Sequence, residues 1–282
     1  MNESEMSEAR KRQKSPYLLE NSSNEAPVRL AALSTMFDAE TKRHLAERGV
    51  GQGWYCLEVG GGGGSIASWL AERVGPTGRV LATDIDPRHL EGTKHPNLEV
   101  RQHDIVEDPL PEALFDLVHT RLVLMHVPER ERALDRMVKA LKPGGWLVDE
   151  EFDSLSVPPD PALGSGEMLL KTQIALSRLL ADHRVDRRLG RLLVGRLRAH
   201  GLAGIGAEAR MTMWQYGSSG ALFMRAAYAQ VRQAMIEAGY LTRQQFDEDM
   251  AALDTPGFMM PSPIMWTAWG RRPDALKCSR RP

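Results

Sequence analysis

The chain has 282 residues, 42% of them hydrophobic and 26% charged, and its formal net charge is −1 at pH 7. This length and composition predict one large domain, or one domain with a lid, that buries a sizeable core. The near-zero charge argues against a dedicated nucleic-acid binder, which carries a strong basic excess. No apolar run approaches the roughly 20 residues that a membrane span needs.

The beginning of the chain and its cysteines predict a cytoplasmic protein. The first fifteen residues are charged throughout and lack the apolar stretch of a secretory signal, so residues 1–15 are predicted to be a disordered tail. Cys56 and Cys278 are too few for a disulfide framework, which favours a reducing compartment. Histidine and cysteine do not recur at metal-ligand spacing, and we therefore expect no metal site.

Apolar residues at helical spacing predict an N-terminal helical segment over residues 16–50, with one or two helices between 26 and 47. Residues 51–153 then alternate short apolar runs with amphipathic stretches. Strands are predicted at 54–59, 79–83, 98–102, 115–120 and 146–152, and helices at 65–74 and 129–141, the second helix ending at the turn 142–145. This alternation predicts an α/β fold with a Rossmann-like, doubly wound sheet.

The pattern changes after Asp153, where Pro158, Pro159 and Pro161 interrupt the chain. Helices are predicted at 167–180, 187–200, 221–238 and 242–253, and strands at 205–214 and 263–270. Residues 154–272 are thus interpreted as the last strands of a mostly parallel seven-stranded sheet together with a helical substrate lid. Residues 273–282 are predicted to be a loose tail.

Five consecutive glycines, Gly60 to Gly64, lie between a buried strand and a helix. Without β-carbons the backbone can approach a ligand closely, and the helix N-terminus offers free N–H groups. A dinucleotide fingerprint needs glycine at its sixth position, where this chain has Ser65. Glu58, two residues before the run, would repel a pyrophosphate but attract an ammonium or sulfonium group.

The segment EVGGGGG resembles the first motif of the class I S-adenosylmethionine-dependent methyltransferases. Asp84 follows the second predicted strand in LATDIDP, and Asp104 follows the third in RQHDIVED. The fourth and fifth strands resemble the family's corresponding motifs in FDLVHTRLVLMHVPER and LKPGGWLVDEEF. The resemblance covers roughly residues 50–153. It extends to the segment YLLENSSNEAPVRLAALSTMFDAETKRHL, which is similar to the N-terminal helices of bacterial small-molecule methyltransferases.

The resemblance implies S-adenosylmethionine as cofactor and assigns roles to matching residues. Asp84 would bind the two ribose hydroxyls, for which a carboxylate is the natural acceptor. Asp104 would meet the adenine amino group, with Ile105 packing nearby, and Tyr17 would close over the cofactor with Asn21. The implied cofactor-binding set is Tyr17, Glu58, Gly60, Gly62, Gly64, Asp84, Ile85, Asp104, Ile105 and Thr120.

Each acidic residue in this set also has a structural alternative. Asp86 competes with Asp84 for the ribose, although its position before Pro87 favours a helix cap. Asp104 is also compatible with a turn residue, and Glu58 with a helix cap or a surface ion pair.

The candidates for chemistry follow the fourth and fifth strands, because acceptors approach this fold from the carboxyl ends of its strands. His126 has the pKa range of a base at neutral pH, although a histidine in an apolar segment is often a packed one. Glu150 and Glu151 alternate faces on a strand, so only one can face the site, and we favour Glu151. His119, inside the fourth strand, is expected to belong to the core.

The C-terminal third is rich in methionine: eight of the fourteen lie between Met211 and Met265. The aromatic residues interleaved with them are Trp214, Tyr216, Phe223, Tyr228, Phe258 and Trp266. Such a lining suits a hydrophobic acceptor, although core packing of the lid helices explains any single residue equally well.

The predicted activity is methyl transfer to oxygen, nitrogen or carbon of a small, hydrophobic or aromatic acceptor, in secondary metabolism or quinone-like chemistry. No nucleic-acid partner is expected, and a homodimer is left open. Two alternatives remain at this stage. One is a nicotinamide-dependent oxidoreductase on the same fold, and the other is a non-catalytic module that only binds the cofactor.

Overall fold

A computed structural model describes residues 17–155 and 166–274 of the chain. The predicted tail 1–15 and the three prolines after Asp153 lie outside the described residues. The predicted tail 273–282 does so too, apart from its first two residues.

Nine strands are present in the described part of the chain. They are β1 Tyr55–Val59, β2 Arg79–Asp84, β3 Leu98–Gln102, β4 Phe115–Arg121, β5 Leu141–Asp153, β6 Ala203–Arg210, β7 Met213–Gln215, β8 Met259–Pro261 and β9 Ile264–Arg271. Seven of them form one sheet in the order β3-β2-β1-β4-β5-β9-β6, and β7 pairs with β8 in a separate ribbon. Strand β9 runs antiparallel to both of its neighbours, β5 and β6, whereas the other neighbouring strands of the large sheet are parallel. The predicted Rossmann-like, mostly parallel seven-stranded fold is confirmed.

Seven α-helices accompany these strands in the described residues. They are α1 Ala26–Glu47, α2 Ser65–Val74, α3 Arg130–Ala140, α4 Gly166–Asp182, α5 Leu189–Ala199, α6 Ser219–Glu237 and α7 Arg243–Leu253. The segment predicted as one or two helices is the single helix α1. It packs against α6 and α2, so that it joins the C-terminal helices to the nucleotide-fold half of the chain.

Two predictions of local structure differ from the fold. The turn signal Lys142-Pro143-Gly144-Gly145 lies inside β5, which begins directly after α3 at Leu141. Gly145 lets β5 lie this close to β4, because a β-carbon at that position would lie 2.9 Å from the backbone oxygen of Phe115. The predicted strand 205–214 is two strands, β6 and β7, which belong to different sheets. Strand β8 was not predicted.

The central strands are buried on both faces, as parallel strands covered by helices are. Phe115, Leu117 and Leu147 have no exposed surface. The chain reverses its direction of winding between β1 and β4, and the carboxyl ends of the parallel strands meet at one edge. Ligands of this fold bind at such a switch point.

A second hydrophobic cluster holds the C-terminal helices together. It contains Trp214, Met224, Tyr228, Phe246 and Phe258, and it joins α4, α6, α7 and the β7–β8 ribbon. A polar contact also fixes α4 to α7, because Asp249 accepts a hydrogen bond from the backbone N–H of Thr172 at 2.8 Å. We refer to these packed elements, α4, α6, α7 and the β7–β8 ribbon, as the lid.

Gly190 and Gly195 provide a test of how tightly α5 packs on the sheet. A β-carbon at Gly190 would lie 2.6 Å from the backbone oxygen of Glu151 and 2.7 Å from the Trp266 ring, whereas one at Gly195 meets nothing within 4 Å. Gly190→Ala should therefore lower the free energy of unfolding by about 1–3 kcal/mol in urea denaturation. Gly195→Ala, on the same helix, should raise it by about 0.5–1 kcal/mol. Equal effects of the two substitutions would contradict this packing.

Candidate functional site

A cavity of about 780 Å³ opens at the carboxyl edge of the sheet, between the glycine loop and the lid. Most of the predicted cofactor-binding residues line it. They are Tyr17, Glu58, Gly60, Gly62, Asp84, Ile85, Asp104 and Ile105. The predicted residue His126 lines the same cavity.

The glycine loop needs glycine for its backbone geometry. Gly60, Gly62 and Gly64 have φ angles of +71°, +51° and +80°, in the left-handed region that other residues avoid. The N–H groups of Gly60 and Gly61 donate to the backbone oxygen of Thr83 at 2.8 and 2.9 Å, which fixes the loop to β2. Gly64 does not line the cavity. It is the N-cap residue of α2.

Asp84 and Asp86 separate into the two roles that the sequence left open. Asp84 is buried at the cavity wall, where its carboxylate accepts hydrogen bonds from the N–H groups of Gly62 and Asp86, both at 3.0 Å. Asn21 also reaches it, at 3.4 Å. Burial raises the pKa of Asp84. Asp86 caps a short 3₁₀ helix and forms an ion pair with Arg88 at 2.8 Å, and it does not line the cavity.

Asp104 combines a place at the cavity with a turn role. Its carboxylate accepts hydrogen bonds from the N–H groups of Val106 and Glu107 at 2.8 and 3.3 Å, which orders the loop after β3. Ile85 and Ile105 line the same end of the cavity with apolar surface. An acid between two apolar side chains suits a flat ring with a polar edge.

A buried charge cluster, which the sequence did not reveal, lies beneath the glycine loop. His119 donates to Glu58 at 2.7 Å and to Glu150 at 3.2 Å, one carboxylate on each side of its ring. Glu150 accepts further hydrogen bonds from Thr41 of α1 at 2.5 Å and from Thr267 of β9 at 2.7 Å. His119 was expected to belong to the core, and it does so as the central cation of this cluster.

The electrostatics of the cluster follow from its burial. Burial by itself disfavours a charged imidazole, but Glu58 and Glu150 outweigh it and raise the pKa of His119 to about 9. Burial likewise opposes the charge on Glu150, yet the bond to His119 lowers the pKa of that carboxyl to about 2. The signal that predicts this pairing is register, because Glu58 of β1 lies directly beside His119 of β4.

Thr120 and Glu151 are placed behind the cavity wall, not in it, so we assign them supporting contacts in place of the direct ones predicted. Thr120 donates to the backbone oxygen of Val59 at 3.1 Å. Glu151 accepts hydrogen bonds from three successive N–H groups, those of Val123, Leu124 and Met125, at 3.1, 2.7 and 3.3 Å. Burial raises the pKa of Glu151 well above its usual value. Glu151 thus holds the turn that carries His126.

His126 ends the 3₁₀ helix Leu124–His126 and faces the cavity. Its Nδ1 is buried and has no hydrogen-bond partner among the described residues. The ring meets that of Tyr17 edge-on, with centroids 5.0 Å apart. Burial, aided by the positive charge of Arg29, lowers the pKa of His126 to about 3. The imidazole is therefore neutral at physiological pH.

Arg29, which the sequence did not single out, places a buried cation at the cavity. It is 3% exposed, and its guanidinium donates to Gln230 at 2.9 Å, to the backbone oxygen of Leu19 at 3.0 Å and to Asn21 at 3.4 Å. Among the described residues, no carboxylate forms an ion pair with it. A buried cation with neutral partners favours an anionic ligand group.

The methionine and aromatic residues of the C-terminal third divide between two roles. Trp214, Phe223, Met224, Tyr228 and Met260 line the lid end of the cavity. The remaining predicted lining residues, Tyr216, Phe258 and Trp266, do not, since Tyr216 is half exposed and the other two pack in the hydrophobic clusters. Some of these residues therefore line the cavity and others pack in the core, so each of the two explanations from the sequence holds for part of the set.

One group of described residues has metal-ligand spacing, away from the cavity. Glu40 and His44 of α1 lie close to Glu208 of β6. Arg43 pairs with Glu208 at 2.7 Å, and Arg210 pairs with Glu40. These ion pairs compete with any cation for the two carboxylates.

Comparisons with known proteins agree with this site. Residues 57–149 match a family model described as a methyltransferase domain. Methyltransferase str3 of Strobilurus tenacellus is 33% identical over 159 residues, covering 54% of each chain. The ubiquinone/menaquinone biosynthesis C-methyltransferase UbiE of Francisella tularensis subsp. novicida is 33% identical over 125 residues, covering 42% of this chain and 50% of the relative. The chain thus spans about half the length of these curated relatives.

A solved structure extends the likeness of fold to the C-terminal part. Phosphoethanolamine N-methyltransferase 2 of Haemonchus contortus, in complex with S-adenosyl-L-methionine, matches 87% of this chain and 56% of its own. The TM-score is 0.55 at 14% identity. Residues 57–149 are therefore a class I S-adenosylmethionine-dependent methyltransferase domain, and S-adenosylmethionine is its cofactor. None of the described helices has the length and apolar character needed to cross a membrane.

The His119 cluster predicts a specific loss of stability at high pH. The pKa of about 9 lies above the ordinary 6.5, so the stabilisation is complete below pH 6.5 and is lost as pH rises through 9. The free energy of unfolding should fall by about 3 kcal/mol over this range in urea titrations. His119→Gln should remove the fall, and His200→Gln, a surface control, should keep it. A wild-type stability that stays constant from pH 6.5 to 9 would contradict the cluster's charge state.

Proposed function

We propose that this protein is a methyltransferase that transfers a methyl group from S-adenosylmethionine to a small, lipophilic or aromatic acceptor. The proposal rests on the shape of one cavity. The glycine loop and Asp84 lie at its first end, and the apolar lid forms its second end. A cofactor and an acceptor can meet only where both ends share one enclosed space.

The residues at the first end fit the cofactor chemically. When bound, S-adenosylmethionine supplies an electrophilic methyl group on a sulfonium. Asp84 would accept hydrogen bonds from the ribose hydroxyls, and Ile85 and Ile105 would pack against the adenine with Asp104 at its polar edge. Glu58 would attract the ammonium of the methionine part, and Arg29 would pair with its carboxylate.

The residues at the second end position the acceptor and exclude water. Trp214, Phe223 and Met224 supply apolar surface, which favours an acceptor with an aromatic or aliphatic body. The neutral imidazole of His126, which lines the cavity, accepts a hydrogen bond from the acceptor's O–H or N–H group and so orients the acceptor toward the methyl group. Glu151 keeps this turn in place through its three backbone contacts.

Relatives support an aromatic acceptor and the choice of reaction. The names of the UbiE relatives refer to ubiquinone and menaquinone biosynthesis, which supports a quinone-like ring. The family match and Glu58 beside the glycine loop disfavour the nicotinamide oxidoreductase. A cytoplasmic location is part of the proposal, since the buried free thiol of Cys56 fits a reducing compartment.

The proposed activity is tested by incubating the protein with S-adenosylmethionine that carries a labelled methyl group and a panel of phenols, hydroquinones and aromatic amines. Label should enter at least one extracted acceptor and should fail to enter aliphatic polyols. Tight cofactor binding without transfer to any acceptor would instead favour the non-catalytic module.

Asp84→Asn should weaken S-adenosylmethionine binding at least about tenfold in isothermal titration, because the charged acceptor for the ribose diol is lost. The substitution keeps an oxygen for the Gly62 N–H group, so the loop should stay intact. Asp86→Asn is the matched control two residues away, and it should leave the affinity unchanged because asparagine also caps a helix. Equal affinities of the two variants would place the ribose elsewhere.

His126→Gln should lower kcat about 10²-fold on an acceptor found in the panel, while the affinity for S-adenosylmethionine stays the same. Because its pKa is about 3, the wild-type rate should show no inflection near pH 6.5 from this residue. His183→Gln, a histidine of the lid that does not line the cavity, serves as the control. An unchanged kcat in His126→Gln would exclude His126 from the chemistry.

A further inference from the structure

The lid end of the cavity contains several polar side chains that a purely lipophilic acceptor does not need. Four polar side chains and one cation line it amid apolar neighbours. They are Ser154, Gln173, Ser177, Tyr228 and Arg187. Placing polar groups in an apolar pocket costs free energy unless they are paired, so such groups fix the orientation of a ligand.

Arg187 is the centre of this set, and its guanidinium meets only neutral partners. Nε donates to the hydroxyl of Ser154 at 3.0 Å, Nη1 to the hydroxyl of Ser177 at 2.6 Å, and Nη2 to the backbone oxygen of Ser154 at 3.2 Å. Each terminal nitrogen keeps one further N–H, since a guanidinium has five. Burial lowers the pKa of Arg187, as expected for a cation partly removed from water.

Asp153, the acidic residue whose charge acts on Arg187, already forms an ion pair. Asp153 is buried and forms a two-point ion pair with Arg191 at 2.6 and 2.7 Å. Among the described residues, none forms a carboxylate ion pair with Arg187. The guanidinium therefore has a positive charge and two N–H groups available for a ligand at the cavity.

The loop that carries Arg187 is fixed to the turn that carries His126. The N–H of Asp186 donates to the backbone oxygen of Met125 at 2.9 Å, and the N–H of Ser154 donates to the backbone oxygen of Arg187 at 3.0 Å. Arg187 is thus tied both to the end of β5 and to the residue next to His126. An acceptor held by Arg187 has a set position relative to the His126 ring.

We propose that the methyl acceptor carries a carboxylate and that Arg187 binds it, so that Arg187 selects aromatic or lipophilic acids over their neutral analogues. This inference rests on the proposed function and names the substrate class of the same cavity. A carboxylate matches the paired N–H groups of a guanidinium in one plane. One cation among neutral polar and apolar side chains suits a single negative charge better than a doubly charged phosphate.

The test measures binding, so it does not depend on turnover. Protein saturated with S-adenosylhomocysteine is titrated with 2-naphthoate, 4-hydroxybenzoate and decanoate, each beside its uncharged amide. At least one acid should bind at least about tenfold more tightly than its amide, because a charge-assisted hydrogen bond is gained. Arg187→Met should abolish the preference, and Arg187→Lys should keep part of it.

Arg188→Met is the matched control, because Arg188 is the exposed neighbour that pairs with Asp186 and lies outside the cavity. It should retain the full preference for acids. Equal affinity of acids and amides in the wild type, no binding of any acid, or an unchanged preference in Arg187→Met would each overturn the inference.

The outcome is distinguishable from failure of the proposed function. S-adenosylhomocysteine is titrated first, on the wild type and on every variant, and each should bind it with the same affinity. Loss of that binding in the wild type would refute the methyltransferase proposal. Intact cofactor binding without discrimination between acid and amide would refute the carboxylate subsite alone.

Discussion

The buried pairing of His119 with Glu58 and Glu150 is the constraint on which the site depends. It joins β1, β4 and β5 beneath the cavity, through contacts of 2.7 and 3.2 Å. Thr41 and Thr267 extend it to α1 and to the antiparallel strand β9. Removing one member of such a cluster leaves an uncompensated charge in the core, which costs about 3–5 kcal/mol. The strand ends that carry the glycine loop and the β5 carboxylates are therefore held together.

The two ends of the cavity are built by different means. At the cofactor end the sheet places polar groups at the ends of successive parallel strands, where backbone hydrogen bonds set their separation. At the acceptor end, helices α4 and α6 and the β7–β8 ribbon are held by apolar packing. Such packing tolerates volume-conserving exchanges and so allows acceptors to differ while the cofactor end stays constant.

Glu151 illustrates how a carboxylate serves the site without touching a ligand. It lies behind the wall, where it satisfies three N–H groups at the start of the 3₁₀ turn. Without it those donors would be buried and unpaired, each at a cost of about 1–3 kcal/mol. The backbone oxygen of Met125 then accepts a hydrogen bond from the N–H of Asp186, the neighbour of Arg187. Through these two contacts, the end of β5 fixes both polar groups proposed to meet the acceptor.

The sequence by itself determined the features that depend on local patterns. The alternation of strands and helices, the helix Ser65–Val74, the glycine loop and the position of Asp84 at the end of β2 are local, because period and turn chemistry act over a few residues. It also predicted that these strand ends would meet, since parallel strands share a carboxyl edge. Asp84, Asp104 and His126 accordingly line the cavity.

Only the tertiary structure decided which side chains face the cavity and which support it. Glu150 contacts His119, and Glu151 accepts hydrogen bonds from a backbone turn. Strand register and helix α5, which is distant in the chain, set these neighbours. Arg29 and Arg187 reach the cavity from a helix and a loop whose packing no local pattern encodes. The methionine and aromatic residues were divided in the same way, since one apolar face serves a core or a cavity according to what packs against it.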